Sequence, residues 1–424
     1  MRTLPMAEVR EPAPRARRHA LMAGVVAVYL LTALAVLALD GVVPRHRWLA
    51  LHLLGLGAAT NAVMVWSRHF SQALLHARLT SERAANVRLV GLNAAIGAVL
   101  AGVVLSLPAL AAAGAMVVVL VVGWHVAALL TMARRHRMPG PLRRVVGFYV
   151  ASGVSLLLGA GLGAALAGRW VADDSVVQQR LHLAHAQVNL FGWIGLAVLG
   201  TEVVLWPAVL RTRMTGLAPR LAPVTLAACA TGLVVLVGGL LAGSTAVALA
   251  GCAAYGAGVV VAMVPLIRTL PGQPSRSPAA WWLGASTGWL LAGVVVDAVR
   301  LATLSDADAV LHPLVPLLGI GLVAQALVGA LSFLLPVTIG GGPSGNRRMS
   351  GTLERVWRLR IISANAGLLL VVAPASSVHL VGWVLTLVGL GAFVPLLVTA
   401  LMTSDVAVPP WRHDARRSPD RPER

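Results

Sequence analysis

Six histidines fall within or at the ends of long apolar runs: His52, His125, His182, His185, His312 and His379. Two of them, His182 and His185, stand three apart in LHLAHAQVNLFGWIGLAVLGTEVVLWP, which runs from Leu181 to Pro207 and also carries Gln187, Asn189 and Glu202. Polar groups in hydrocarbon are costly, and those that persist pair with one another or serve a function. A neutral imidazole offers one ring nitrogen as a lone-pair donor. Histidines brought to one depth by different helices can therefore hold haem iron or copper. The competing reading of any one histidine at the end of a run is simple contact with lipid headgroups.

The elements that must position these residues are membrane spans. The chain is 58% hydrophobic and 12% charged, which excludes a soluble domain and indicates a polytopic membrane protein. Apolar runs of about 20 residues, the length needed to cross a bilayer, lie near 20–40, 48–66, 87–107, 109–133, 145–168, 181–210, 221–242, 245–267, 280–303, 311–336, 358–374 and 377–402. The fold class is therefore all-α, with about twelve transmembrane helices. A basic segment (1–19) precedes them, and a Pro- and Arg-rich tail (404–424), read as disordered and close to anionic headgroups, follows.

Charge orients the bundle. The formal charge of +19 rests on 34 basic residues, all Arg. They sit in short segments between the runs, so they speak for membrane orientation and against nucleic acid. With the N-terminus inside, only Arg45, Arg47, Arg169, Arg180 and Arg300 fall outside. That asymmetry puts both termini in the cytoplasm; the Ala, Arg, Gly and Val bias with no Lys fits a high-GC bacterial genome, hence a bacterial inner membrane. Cys229 and Cys252 lie within apolar runs and read as small core residues. The segments 271–278 and 340–348 read as flexible connectors.

Three runs open with the same dipeptide: Leu51-His52, Leu181-His182 and Leu311-His312. These are the second, sixth and tenth runs. The spacing suggests three four-helix units, at about 20–133, 145–268 and 279–402. All three runs pass from outside to inside, so His52, His182, His185 and His312 share the outer third of the membrane. His125 lies deeper, toward the inside, and is a ligand, a proton-relay group or a hydrogen-bonded core residue. Glu202 is either a proton relay or a neutral acid bonded across helices. Asp297 and Arg300, three apart on one helix face, can pair with each other.

The stretch HAQVNLFGWIGLAVLGTEVVLWP resembles the His-rich helix of the C-type oxidase and nitric oxide reductase branch of the haem–copper oxidase superfamily, in which a His precedes a Gly-Trp pair, a later Gly and a closing Pro. HLLGLGAATNAVMVWSRHF is similar to the second helix of that superfamily, and LVGALSFLLPVTIGGGP to the ends of its helices. Twelve helices with His on the second, sixth and tenth resemble its catalytic subunit as an architecture. The chain is also similar to actinobacterial members joined to copper nitrite reductase or multicopper oxidase domains.

The resemblance implies that His52 and His312 are the axial ligands of a low-spin haem b. It implies a second metal, copper, at His185 and His182, and contacts of Arg300 and Asp297 with haem propionates. The family's seventh helix carries a His pair and its tenth a His-x-His. Here the seventh run has no His and the tenth has one. The resemblance therefore implies electron transfer from quinol to a periplasmic copper oxidase or nitrite reductase, without oxygen reduction at a full binuclear centre. The other function classes consistent with twelve spans are a secondary transporter, usually built as two repeats of six, and a metal-free scaffold.

Overall fold

The computed structural model describes residues 14–39, 41–77, 81–136, 141–173, 175–213, 216–270, 277–304 and 306–404. Among them there are helices and no strand. Twelve helices run through the bundle: α1 (Pro14–Ala38), α2 (His46–Leu74), α3 (Glu82–Val104), α4 (Pro108–Arg135), α5 (Val145–Ala167), α6 (Val176–Val209), α7 (Leu217–Ala242), α8 (Thr245–Arg268), α9 (Pro278–Thr303), α10 (Ala307–Ile339), α11 (Trp357–Val371) and α12 (Ser376–Met402). All but α11 are long and apolar enough to cross a membrane. Their perimeter is apolar: Val90, Leu120, Val234 and Leu380 are each more than two-thirds exposed, a surface that suits lipid and not water. The chain is an all-α, multi-pass membrane protein.

The helices start where local chemistry dictates. Side chains of Ser81, Ser175, Ser244 and Asp306 accept the orphan amides of Ala84, Gln178, Val247 and Ala309. Pro108 and Pro278 occupy first-turn positions, where a missing N–H costs nothing. Neighbours in sequence pack as antiparallel pairs, most extensively α7 on α8, α3 on α4 and α4 on α5. The α7–α8 seam is made of small residues: a Cβ at Gly232, Gly239, Gly251 or Gly258 would run into the backbone or side chains of the facing helix. The first helix closes the bundle against α10 and α12.

One expectation is corrected, and one helix is shorter than expected. The segment expected as a flexible connector at 340–348 holds most of a short helix, Pro343–Leu353, which buries Met349 and Leu353. The span expected at 358–374 is a helix of 15 residues, about 22 Å long and short of the roughly 30 Å of hydrocarbon. Residues 1–13, most of the 271–278 connector and residues 405–424 lie outside the described residues.

Four helices carry a π-helical stretch, in which each amide bonds five residues back. These are Leu53–Ala59 in α2, Val188–Gly195 in α6, Leu317–Ala324 in α10 and Leu387–Gly391 in α12. The first three lie four helices apart, and each packs on the preceding helix. The stretch in α10 also touches those of α2 and α6, so the three meet inside the bundle. Loosened backbone must be satisfied within protein, and side chains do this here. Thr60 and Asn61 donate to the Gly55 and Gly57 carbonyls at 3.0 and 2.9 Å. Ser152 of α5 donates to the Trp193 carbonyl at 2.6 Å, and Tyr255 of α8 to that of Phe191 at 2.7 Å.

Candidate functional site

Two histidines stand immediately above π-helical stretches. His52 is the residue before the stretch in α2, and its Nδ1 lies 2.9 Å from the Trp48 carbonyl one turn back. The Trp48 indole stacks on the same ring, with centres 4.0 Å apart. His185 lies one turn above the stretch in α6, and its Nδ1 is 2.8 Å from the Gly159 carbonyl of α5. A carbonyl only accepts, so both Nδ1 atoms carry the proton. That fixes the tautomer and leaves each Nε2 with its lone pair. Among the described residues neither Nε2 has a hydrogen-bond partner.

Glycine makes this approach possible. A Cβ at Gly163 would come within 2.9 Å of His185 Cε1, and one at Gly159 would collide with Asn189. Both glycines lie on one face of α5, four residues apart. Asn189 in turn donates to the His185 carbonyl at 2.7 Å.

The two rings line one cavity of about 700 Å³, open at the end formed by the α1–α2, α3–α4, α5–α6 and α9–α10 loops. Leu56, Val99, Ala115, Leu156, Ala160 and Leu311 contribute apolar wall. The floor is Trp193, whose indole N–H donates to Thr60 at 3.1 Å and ties α6 to α2. Arg45, Arg169, Asp173, Asp306 and Asp308 surround the mouth. A volume in this range is that of a small-molecule or cofactor pocket.

The centres of the His52 and His185 rings are 6.3 Å apart and their planes differ by 13°. One metal ion bonded on opposite sides by two imidazoles at about 2.1 Å, with each nitrogen about 1.1 Å from its ring centre, sets the centres about 6.4 Å apart. The ring-centre separation and the two unpartnered Nε2 atoms on one cavity are the features that a shared metal ion would use. Among the described residues no group of three His, Cys, Asp or Glu side chains stands ready to hold a metal.

The other expected site residues are distributed differently. His312 is exposed and does not line the cavity; its neighbour Leu311 is buried and does. The expected His52–His312 pair is not formed, and His185 stands opposite His52 instead. The difference is one of height along the helix. Measured back from the π-helical stretch, His312 is five residues away and His182 six, whereas His185 is three and His52 one. His182 accordingly sits at the mouth, with its Nδ1 3.7 Å from an Asp308 carboxylate oxygen. His125 is buried on α4 and bonds Ser67 through Nε2 at 3.0 Å, as a hydrogen-bonded core residue.

The carboxylates find partners other than those proposed from spacing. Asp297 is fully buried, and the Gln187 amide donates to both its oxygens at 2.8 and 2.9 Å; the Cys252 thiol lies 3.6 Å away. Arg300 donates to the Ala309 carbonyl at 2.5 Å, so Asp297 and Arg300 do not pair. Glu202 is buried between α6 and α9 and accepts from the Thr287 hydroxyl at 2.5 Å. Its second oxygen has no partner among the described residues, and Glu202 lines a small, partly open cleft of about 30 Å³.

The residues that sequence reasoning missed are Trp48, Gly159, Gly163 and the Trp193–Thr60 bridge. A signal existed for the glycines, since a G-x-x-x-G pair in an apolar helix marks a face that admits close approach. No protein-family model matches the chain, and no curated protein matches it either.

Proposed function

We propose that this is a membrane redox protein that holds one haem b between His52 and His185 and passes single electrons at the outer face of the inner membrane. The observation that carries the reading is the pair of imidazoles whose Nδ1 atoms are tied to carbonyls, with both Nε2 atoms unpartnered in one cavity at metal-sharing separation. A haem bound on both sides supplies one-electron chemistry and leaves no open coordination position for a substrate. The chain's own residues do the positioning. The Trp48 and Gly159 carbonyls orient the ligand rings, apolar walls exclude water, and Trp193 with Thr60 closes the floor. Arg45 and Arg169 at the mouth offer cations to acidic groups.

The resemblance supports a quinol donor and an outer-face copper oxidase or nitrite reductase as acceptor. With His185 given to the haem, the copper that the resemblance implies falls to His182 at the mouth. The test is haem titration of the purified protein followed by absorbance. One equivalent taken up, with the sharp reduced bands of a six-coordinate haem, is expected. A protein that takes up none is a transporter or a scaffold.

A further inference from the structure

A second cluster of unused chemistry lies at the opposite end of the bundle, between α1, α2, α3 and α4. Arg18 and Arg68 both pair with Glu82, Arg68 at 3.0 Å. Arg88, one and a half turns into α3, lies within electrostatic reach of Arg68 and Arg18. Two guanidiniums therefore share the Glu82 carboxylate, and the third, Arg88, lies near them without pairing to it. Arg68 and Arg88 are only 5% and 4% exposed, so they do not lie along the surface as headgroup-facing arginines do. Among the described residues Arg88 has no hydrogen bond and no ion pair; its one contact of note is the Trp124 ring, 5.1 Å from its Cζ.

A buried guanidinium with no acceptor is expensive. Arg360, similarly buried, has two of its three nitrogens supplied: Nη1 and Nε donate to the Leu353 and Gly389 carbonyls at 2.9 and 3.3 Å, and Nη2 has no partner among the described residues. Arg88 has the same burial and none of that supply. Its surroundings indicate where an acceptor would enter. Val87, Val90 and Trp124 beside it are about half exposed or more, on the lipid-facing perimeter. The side chain of α3 leans toward the helix N-terminus, hence toward the near headgroup layer.

We propose that Arg88, flanked by Arg18 and Arg68, is a binding site for a phosphate oxyanion, and that the oxyanion is the phosphodiester of an anionic phospholipid entering from the bilayer. The guanidinium fork matches two phosphate oxygens. The surplus positive charge favours a lipid with a net negative head over a zwitterionic one. This site is independent of the haem assignment.

The test is native mass spectrometry of the delipidated full-length protein. It is titrated separately with dioleoyl phosphatidylglycerol, dioleoyl phosphatidylcholine and inorganic phosphate. One phosphatidylglycerol should bind about tenfold more tightly than phosphatidylcholine, and R88Q should erase that preference. Equal binding of the two lipids by the wild-type protein overturns the proposal, and that comparison holds even if R88Q does not fold. An unchanged preference in a folded R88Q also overturns it. Binding of inorganic phosphate without a preference for phosphatidylglycerol overturns the lipid assignment.

Discussion

Replacing Gly163 with Ala tests whether the His185 ring sits where a ligand must. The added Cβ would lie 2.9 Å from His185 Cε1 and 3.2 Å from its Nδ1, whereas ordinary contact begins near 3.4 Å. The ring must therefore retreat by about half an ångström, and metal–ligand distances tolerate about 0.2 Å. It cannot retreat freely, because its Nδ1 is held at 2.8 Å by the Gly159 carbonyl. Overpacking of this kind costs about 1–3 kcal/mol, which corresponds to roughly a 5- to 150-fold loss of haem affinity. Gly161 is the control on the same helix: a Cβ there meets nothing within 4 Å, and Gly-to-Ala in a helix stabilises by about 0.5–1 kcal/mol. Haem titration by absorbance should show Gly163→Ala weakened by that factor and Gly161→Ala equal to wild type. Wild-type affinity in Gly163→Ala, or equal losses in both, would refute the placement of the ring.

Two further expectations concern the bundle. Glu202 is a buried acid with no cation, and its donor Thr287 has a second acceptor in the Leu283 carbonyl at 3.3 Å. Replacement of Glu202 by Leu should therefore leave the melting temperature in detergent unchanged or raise it; a drop of several degrees would show that the acid holds the α6–α9 seam. The arginine asymmetry predicts both termini inside, for twelve passes. A cysteine introduced at position 174 should react with an impermeant maleimide added to whole cells, while cysteines at 8 and 415 should not, against the low background of the buried Cys229 and Cys252. Labelling at 8 or 415 would contradict that orientation.

The spans were legible because about 20 consecutive apolar residues have no alternative outside a bilayer. The helix at Pro343–Leu353 was not, because its Gly- and Ser-rich sequence hides a two-residue apolar stripe, Met349 and Leu353, four apart. The residues that line the cavity were legible in the sequence; their juxtaposition was not. His52 and the α6 histidines were identified from type and position. Which histidine faces His52 depends on height along the helix and on rotation about its axis. The Leu-His dipeptide shared by α2, α6 and α10 carries no such information, so Leu311 took the inward place and His312 the outward one. Asp297 illustrates a related limit. Spacing on one helix suggested Arg300, but the bundle brought Gln187 from α6 within 2.8 Å, a neighbour that no local pattern reveals.

The central claim is that His52 and His185, and not His312, clamp one haem. The most direct measurement is the reduced-minus-oxidised absorbance spectrum of the haem-loaded protein in three single variants, each replaced by Ala. His52→Ala and His185→Ala should each lose the six-coordinate spectrum, through haem loss or conversion to a five-coordinate form that binds carbon monoxide. His312→Ala should keep the wild-type spectrum. A six-coordinate spectrum that survives in His185→Ala and vanishes in His312→Ala would contradict the account.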